Sequence, residues 1–232
     1  MDDGEITKLA RLEQRHWWYA ERRAILRRAL RSIPTGRAID VGAGAGGNTK
    51  VLSDLGWSVS AVELSSVGAQ LARERDVRIV RADARRLPFS DGCFDLMVSM
   101  DLWEHVDDDL TVAQEAFRVL RPGGRALIAV PCDMSLWSGH DVAVGHVRRY
   151  ESAELRDLMN SAGFEVVSVE SWNVLLRPIA KWHRSQGTEG SDLTALSPIV
   201  NAGLRCVVAA ERWLPVQSLP GVSLLARAVR PG

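Results

Sequence analysis

Arg37-Ala38-Ile39-Asp40-Val41-Gly42-Ala43-Gly44-Ala45-Gly46-Gly47-Asn48 decides the fold of this chain. A short apolar run ends in an acid and a glycine-dense turn follows. Thr49, Lys50, Val51, Leu52 and Leu55 are then spaced like a helix packing back on the run. Strand, tight turn and helix in this order open a nucleotide-handling α/β sheet. The glycines let the turn reverse sharply and let a ligand lie against bare backbone. The amides at the helix start would then face that ligand.

The turn itself admits two ligands. Gly42, Gly44 and Gly47 satisfy the G-x-G-x-x-G dinucleotide pattern, whereas Asp40, Gly42, Gly44 and Gly46 satisfy the D-x-G-x-G-x-G pattern of S-adenosylmethionine enzymes. Glu63 follows roughly 20 residues later, at the end of the apolar segment 59–62, where an acid accepts hydrogen bonds from ribose hydroxyls. Both ligands carry that ribose, so the choice rests on the remainder of the chain.

With 232 residues the chain has room for one α/β domain with a sizeable core and some additions. We expect a single domain over 1–232: an N-terminal helical lid (1–35), a cofactor-binding core (36–171), a helical insertion (172–220) and a last strand (221–232). The 29 Lys and Arg balance the 29 Asp and Glu, which argues against nucleic acid as the main partner. Cys93, Cys132 and Cys206 have no paired spacing, so neither a disulfide framework nor a zinc site is expected. The absence of a basic leader or a long apolar run points to a cytoplasmic protein without a transmembrane segment.

Along the chain, residues 5–31 read as one helix closed by Pro34 and Gly36. Within it, His16, Trp17, Trp18 and Tyr19 cannot all face one core. They serve either as packing on both sides of a strapped helix or as a lid lining the ligand pocket. Arg22 and Arg23 read as solvated or ion-paired. Strands are expected at 57–62, 77–80, 96–99, 126–130, 164–169 and 221–229, with helices between them at 107–120 and 152–162. This alternation predicts a doubly wound, mostly parallel seven-stranded sheet with its sites at the carboxyl ends of the strands. Residues 172–213 read as two or three helical segments broken near Gly187 to Ser191. Packing or dimerisation, pocket lining and membrane contact are, in that order, the roles expected for them. Asp83 beside the small Ala84 at the end of the third strand would suit an adenine and its exocyclic amine.

Taken together, Asp40-Val41-Gly42-Ala43-Gly44-Ala45-Gly46, Glu63, Asp83-Ala84 with Leu87-Pro88-Phe89, Phe94-Asp95, Glu104-His105-Val106, Arg121-Pro122-Gly123-Gly124 and Gly163-Phe164 resemble a class I S-adenosylmethionine-dependent methyltransferase. The resemblance covers roughly residues 36–171 and is to the small-molecule group that includes the ubiquinone and menaquinone methylases. It implies S-adenosyl-L-methionine as cofactor, with Gly42, Gly44 and Gly46 holding its methionine and ribose portions and Asp40 near its amino group. It also implies Glu63 and the following Leu64 at the ribose, Asp83 and Ala84 at the adenine, and Met100 and Asp101 at the methionine end. His16-Trp17-Trp18 and the stretch from His140-Asp141 to His146 and Arg149-Tyr150 resemble a bacterial subgroup acting on varied substrates.

Methyl transfer from a sulfonium is an in-line displacement, in which positioning does much of the work. A hydroxyl acceptor also benefits from a base near neutrality, which histidine supplies. His105 follows the fourth strand, and His140 and His146 flank Asp141 on the loop after the fifth; one of these three is the expected base, with Asp141 orienting it. Asp141 pairing with an arginine, and Tyr150 packing at a helix start, is the competing structural role. The His140, Asp141 and His146 spacing fits no common metal motif, so no metal is expected. The activity expected is O-methylation of a small molecule, a secondary metabolite or sugar, by a monomer or homodimer. N- or C-methylation and a nicotinamide-dependent oxidoreductase are the alternatives.

Overall fold

The structure, a computed structural model, describes residues 3–186, 190 and 192–232. A seven-stranded sheet forms from β1 (Arg37–Val41), β2 (Ser58–Glu63), β3 (Ile79–Arg81), β4 (Phe94–Met100), β5 (Leu120–Pro131), β6 (Glu165–Trp172) and β7 (Ser223–Val229). Its order is β3-β2-β1-β4-β5-β7-β6. The pairs among β1 to β5 are parallel, and β7 runs antiparallel to both β5 and β6. The order reverses between β1 and β4, the crevice where such sheets take ligands.

The period of two along the strands explains the layers. On one face Ile39, Val41, Met97 and Ile128 meet α5 (Asp109–Val119) and α7 (Ser152–Ser161) through Val112, Ala116, Leu155 and Met159. Their neighbours Ala38, Leu96, Val98 and Leu127 face the opposite way. There they meet α2 (Trp17–Leu30) and α3 (Gly47–Asp54) through Leu26, Leu30, Val51 and Leu52. α4 (Ser66–Arg73) packs beside β2 and β3.

The N-terminal helix expected as one piece is two, α1 (Asp3–Leu12) and α2. His16 stands at the break in extended conformation, and its Nδ1 accepts the Trp18 amide at 3.3 Å, an N-cap that starts a new helix. The Glu13 carboxylate is drawn away to Arg75, while its carbonyl accepts from Arg23 at 2.8 Å. β5 starts earlier than expected because the Arg121 to Gly124 turn lies within the strand, accompanied by a register shift opposite Phe94 and Leu96. The loop after β5 contains a short helix, α6 (Gly139–Val144), begun by a reciprocal Ser138–Asp141 capping box.

The insertion contains α8 (Arg177–Ser185) and α9 (Pro198–Glu211). Of the break expected between them, Gly187 and Ser191 lie outside the described residues. α9 reaches back to the N-terminal helices: Asn201 accepts the Trp17 amide at 2.7 Å and donates to the Arg15 carbonyl at 3.0 Å. Glu21 of α2 pairs with Arg212. No helix among the described residues is long and apolar enough to cross a membrane.

Candidate active site

A cavity of about 830 Å³ opens at the carboxyl ends of β1, β2 and β4 and is roofed by α1, α2 and the insertion. Gly42 and Gly44 line it, and they and Gly46 have φ of 77°, 53° and 83°, a backbone that side chains disfavour. A Cβ on Gly42 would stand 3.0 Å from Leu102, whereas one on Gly44 would meet nothing within 4 Å. Glu63 is fixed by the amides of Gly44 and Ser65, both donating at 2.8 Å. Two of its acceptor positions remain for hydroxyls. Leu64, Met100 and Asp101 line the same cavity. Asp101 has φ of 53°, its amide donates to the Ala129 carbonyl at 2.8 Å, and its carboxylate pairs with the buried Arg22. Burial pulls Arg22 down to about 10, and its guanidinium lies 5.8 Å from the Trp18 ring centre.

Four residues that the resemblance assigns to the cofactor stand apart from the cavity lining: Gly46, where a Cβ would stand 2.7 Å from Val77 Cγ2, and Asp40, Asp83 and Ala84. Asp40 is buried behind the turn, accepting from the Thr49 hydroxyl at 2.6 Å, and so braces α3 against β1. Asp83 is held by Arg85 two residues on, with Nη2 to Oδ2 at 2.6 Å, and that partner keeps its carboxyl below the usual range. Ala84 packs into the core with Leu87 and Phe94.

Burial pushes Asp40 up to about 7, only partly offset by the Thr49 hydroxyl. Its unfolded carboxyl titrates near 3.8, so between about pH 4 and 7 the native state binds more protons and stability falls as pH rises. Asp40→Asn keeps an acceptor for Thr49 and should gain more stability at pH 7.5 than at pH 5.5 in urea unfolding. An equal change at both values would exclude this origin.

His16, Trp17, Trp18 and Tyr19 all line the cavity. Trp18 rests on Trp172 with ring centres 4.6 Å apart, and burial pushes the Tyr19 hydroxyl far up. His105, His140, His146 and Arg149 line the same cavity. Asp141, wholly buried, holds two of them: it accepts from His146 Nδ1 at 2.7 Å and from Arg149 Nε and Nη2 at 2.8 and 3.1 Å. Against the upward push of burial, these partners hold its carboxyl far below the usual range. Tyr150 turns elsewhere, donating to Asp109 at 2.8 Å inside the core.

In a neutral imidazole the hydrogen-bond partner fixes the tautomer. Asp141 and the Gly145 carbonyl can only accept, so Nδ1 of His146 and of His105 (2.9 Å from Gly145 O) carries the proton and Nε2 is left with a lone pair. His140 is the reverse. Its Nδ1 accepts the Asp192 amide at 3.0 Å, so its Nε2 is a donor. Burial lowers both His105 and His140 to about 4, keeping them neutral.

Two cavity residues escaped the sequence reading. Glu104 is wholly buried with neither carboxylate oxygen hydrogen-bonded, and burial pushes it up to about 8. Asn173, 1% exposed and with φ of 58°, has both side-chain polar atoms without a partner. Glu104 stood in a quoted motif; nothing local marks Asn173.

The sheet order with its antiparallel β7, the glycine turn after β1 and the anchored acid after β2 define a class I S-adenosylmethionine-dependent methyltransferase domain. Residues 39–128 match the family model of the methyltransferase domain. A probable S-adenosylmethionine-dependent methyltransferase of Mycolicibacterium smegmatis is 28% identical over 67% of this chain and 62% of its own length. The chloroplastic tocopherol O-methyltransferase of Arabidopsis thaliana is 35% identical over 45% of this chain and 33% of its own. The chain thus spans between a third and about three fifths of these two relatives. In fold it is similar to phosphoethanolamine N-methyltransferase 2 of Haemonchus contortus bound to S-adenosyl-L-methionine. That match has a TM-score of 0.63 at 21% identity and covers 91% of this chain and 53% of the other. The family match resolves the ambiguity of the glycines in favour of S-adenosylmethionine. The residues fit it, because the space beyond Gly44 is open and the anchored Glu63 borders the same cavity.

Proposed function

We propose that the protein O-methylates a small molecule that carries a hydroxyl on a largely apolar body. The observation carrying this reading is the pair of Nε2 lone pairs on His105 and His146, each fixed by a proton-accepting partner behind it. When bound, S-adenosylmethionine supplies an electrophilic methyl group. Gly42, Gly44, Glu63 and Leu64 would hold its adenosyl portion, and Met100 and Asp101 its methionine end. Asp40, by bracing the turn, and Asp83 and Ala84, at the rim of the third strand, act on the cofactor through the backbone they shape.

The histidine end takes the acceptor. The hydroxyl's proton passes to Nε2 of His146 while Asp141 steadies the imidazolium that forms. His140 offers its N–H to the acceptor, and Arg149 holds Asp141 in place. Trp17, Ile6, Leu9, Leu176, Ile179 and Leu196 supply apolar walls, which suit a lipophilic metabolite better than a sugar. The helical lid 1–35 and the insertion 172–220 close over it, with His16, Trp18 and Tyr19 on the cofactor's side. The balanced charge supports a small acceptor over nucleic acid.

Transfer of a labelled methyl group from S-adenosylmethionine to a panel of phenols, aliphatic alcohols and amines of matched size tests this. Label in an alkali-stable ether is the expected result. Label confined to amines would overturn the O-methyl assignment, and failure of S-adenosylhomocysteine to bind would overturn the site itself.

A further inference from the structure

Glu104, His105 and His146 come from two separate segments of the chain, and one ligand atom from each lies within 4.8 Å of the other two. Nε2 of His146 and Oε1 of Glu104 are 3.7 Å apart. Two ligands each about 2.1 Å from one cation stand roughly 3 to 4 Å apart, so this pair already has a bridging separation. Both oxygens of Glu104 are buried and without a hydrogen bond. A carboxyl in that condition is costly unless something meets it.

The two histidines are prepared as ligands are. Asp141 behind His146 and the Gly145 carbonyl behind His105 fix each ring through Nδ1 and leave Nε2 as the nitrogen with a lone pair. A carboxylate or carbonyl on the far nitrogen is the usual support of a metal-bound imidazole. His140, whose ring centre is 5.9 Å from that of His146, has its Nδ1 lone pair taken by the Asp192 amide and has none to spare. The neighbouring arginines are already neutralised, Arg22 by Asp101 and Arg149 by Asp141. Glu104 therefore remains as the carboxyl of the cluster without a hydrogen-bond partner.

We propose that Glu104, His105 and His146 bind one divalent first-row transition cation, and that the acceptor's oxygen completes its coordination. Two imidazoles and one carboxylate with open positions suit such an ion. The inference rests on the O-methyl reading above and deepens it: with the cation in place, His146 would act as a ligand and the cation, in place of a histidine base, would lower the hydroxyl's pKa. The acceptor's O–H bond gives its proton to solvent in the cavity, and the oxygen attacks the methyl carbon. The C–S bond breaks with its electron pair left on sulfur, so that alcohol and sulfonium become methyl ether, thioether and one proton.

The test is titration of the full chain, stripped with chelator, with cobalt(II) alone, followed by visible absorption and by metal analysis after gel filtration. One cobalt per chain is expected. Glu104→Gln, nearly isosteric, should weaken binding by about a hundredfold, and His146→Ala likewise, whereas His140→Ala should leave it unchanged. No stoichiometric binding by the parent protein, or undiminished binding by Glu104→Gln, overturns the site. S-adenosylhomocysteine calorimetry on the same samples reports separately on folding and on the methyltransferase reading. A protein that binds S-adenosylhomocysteine but no cobalt retains the histidine-base mechanism and loses this one.

Discussion

His146→Ala lowers turnover by about 10² to 10⁴ while the dissociation constant for S-adenosylhomocysteine stays within about twofold of the parent. The size is that of losing a positioned proton-transfer group. The selectivity follows from the partners: His146 is held by Asp141 and shares no hydrogen-bond partner with Gly44 or Glu63. Single-turnover measurements with saturating cofactor isolate the chemical step. Loss of cofactor binding with the chemical step intact would place His146 in the wrong half of the site.

Asp141→Ala is expected to cost about 3 to 5 kcal/mol of stability, the penalty for leaving a buried partner charge unmatched. Arg149, 3% exposed, has this carboxylate as its anionic partner and, among the described residues, also donates to the Cys132 carbonyl at 3.1 Å. The same carboxylate also takes the Ser138 amide at 2.9 Å, so α6 loses its cap together with its charge. Chemical denaturation with an unchanged denaturant slope would measure the loss. The double variant Asp141→Ala with Arg149→Met should recover part of it, because both buried charges are then removed. A single variant as stable as the parent would mean that the loop is held by packing alone.

Backbone-dictated features could be read from the sequence. The turn at Gly42 to Gly46 needs positive φ, and Glu63 ends a strand that must lie beside β1; both demands are local, and the seven strands and their order of type followed from them. Side-chain roles set by distant partners could not be read. Arg85 pairs with Asp83 and the Thr49 hydroxyl donates to Asp40, two contacts that the pattern of residues did not announce. The break at His16 comes with an ion pair from Glu13 to Arg75, in the turn after α4, so a continuous helical period concealed it. Glu104 was visible as a letter, but its burial without a partner is a property of the folded cavity. The lone pairs of His105 and His146 were equally hidden, since a tautomer is chosen by the group behind the ring.

Trp172 and Ser223 face each other across the β6–β7 ladder, so the insertion leaves and re-enters the sheet at a single rung. A loop pinned at one rung can lengthen or change at little entropic cost, because closure entropy grows only with the logarithm of its length. Leu176, Ile179 and Leu196 of this excursion wall the acceptor end, while the glycine turn and Glu63 belong to strands on the far side of the sheet. Mutational drift in the excursion can therefore reshape what is methylated without disturbing how the methyl donor is held, and two paralogues could diverge in acceptor while sharing one cofactor half.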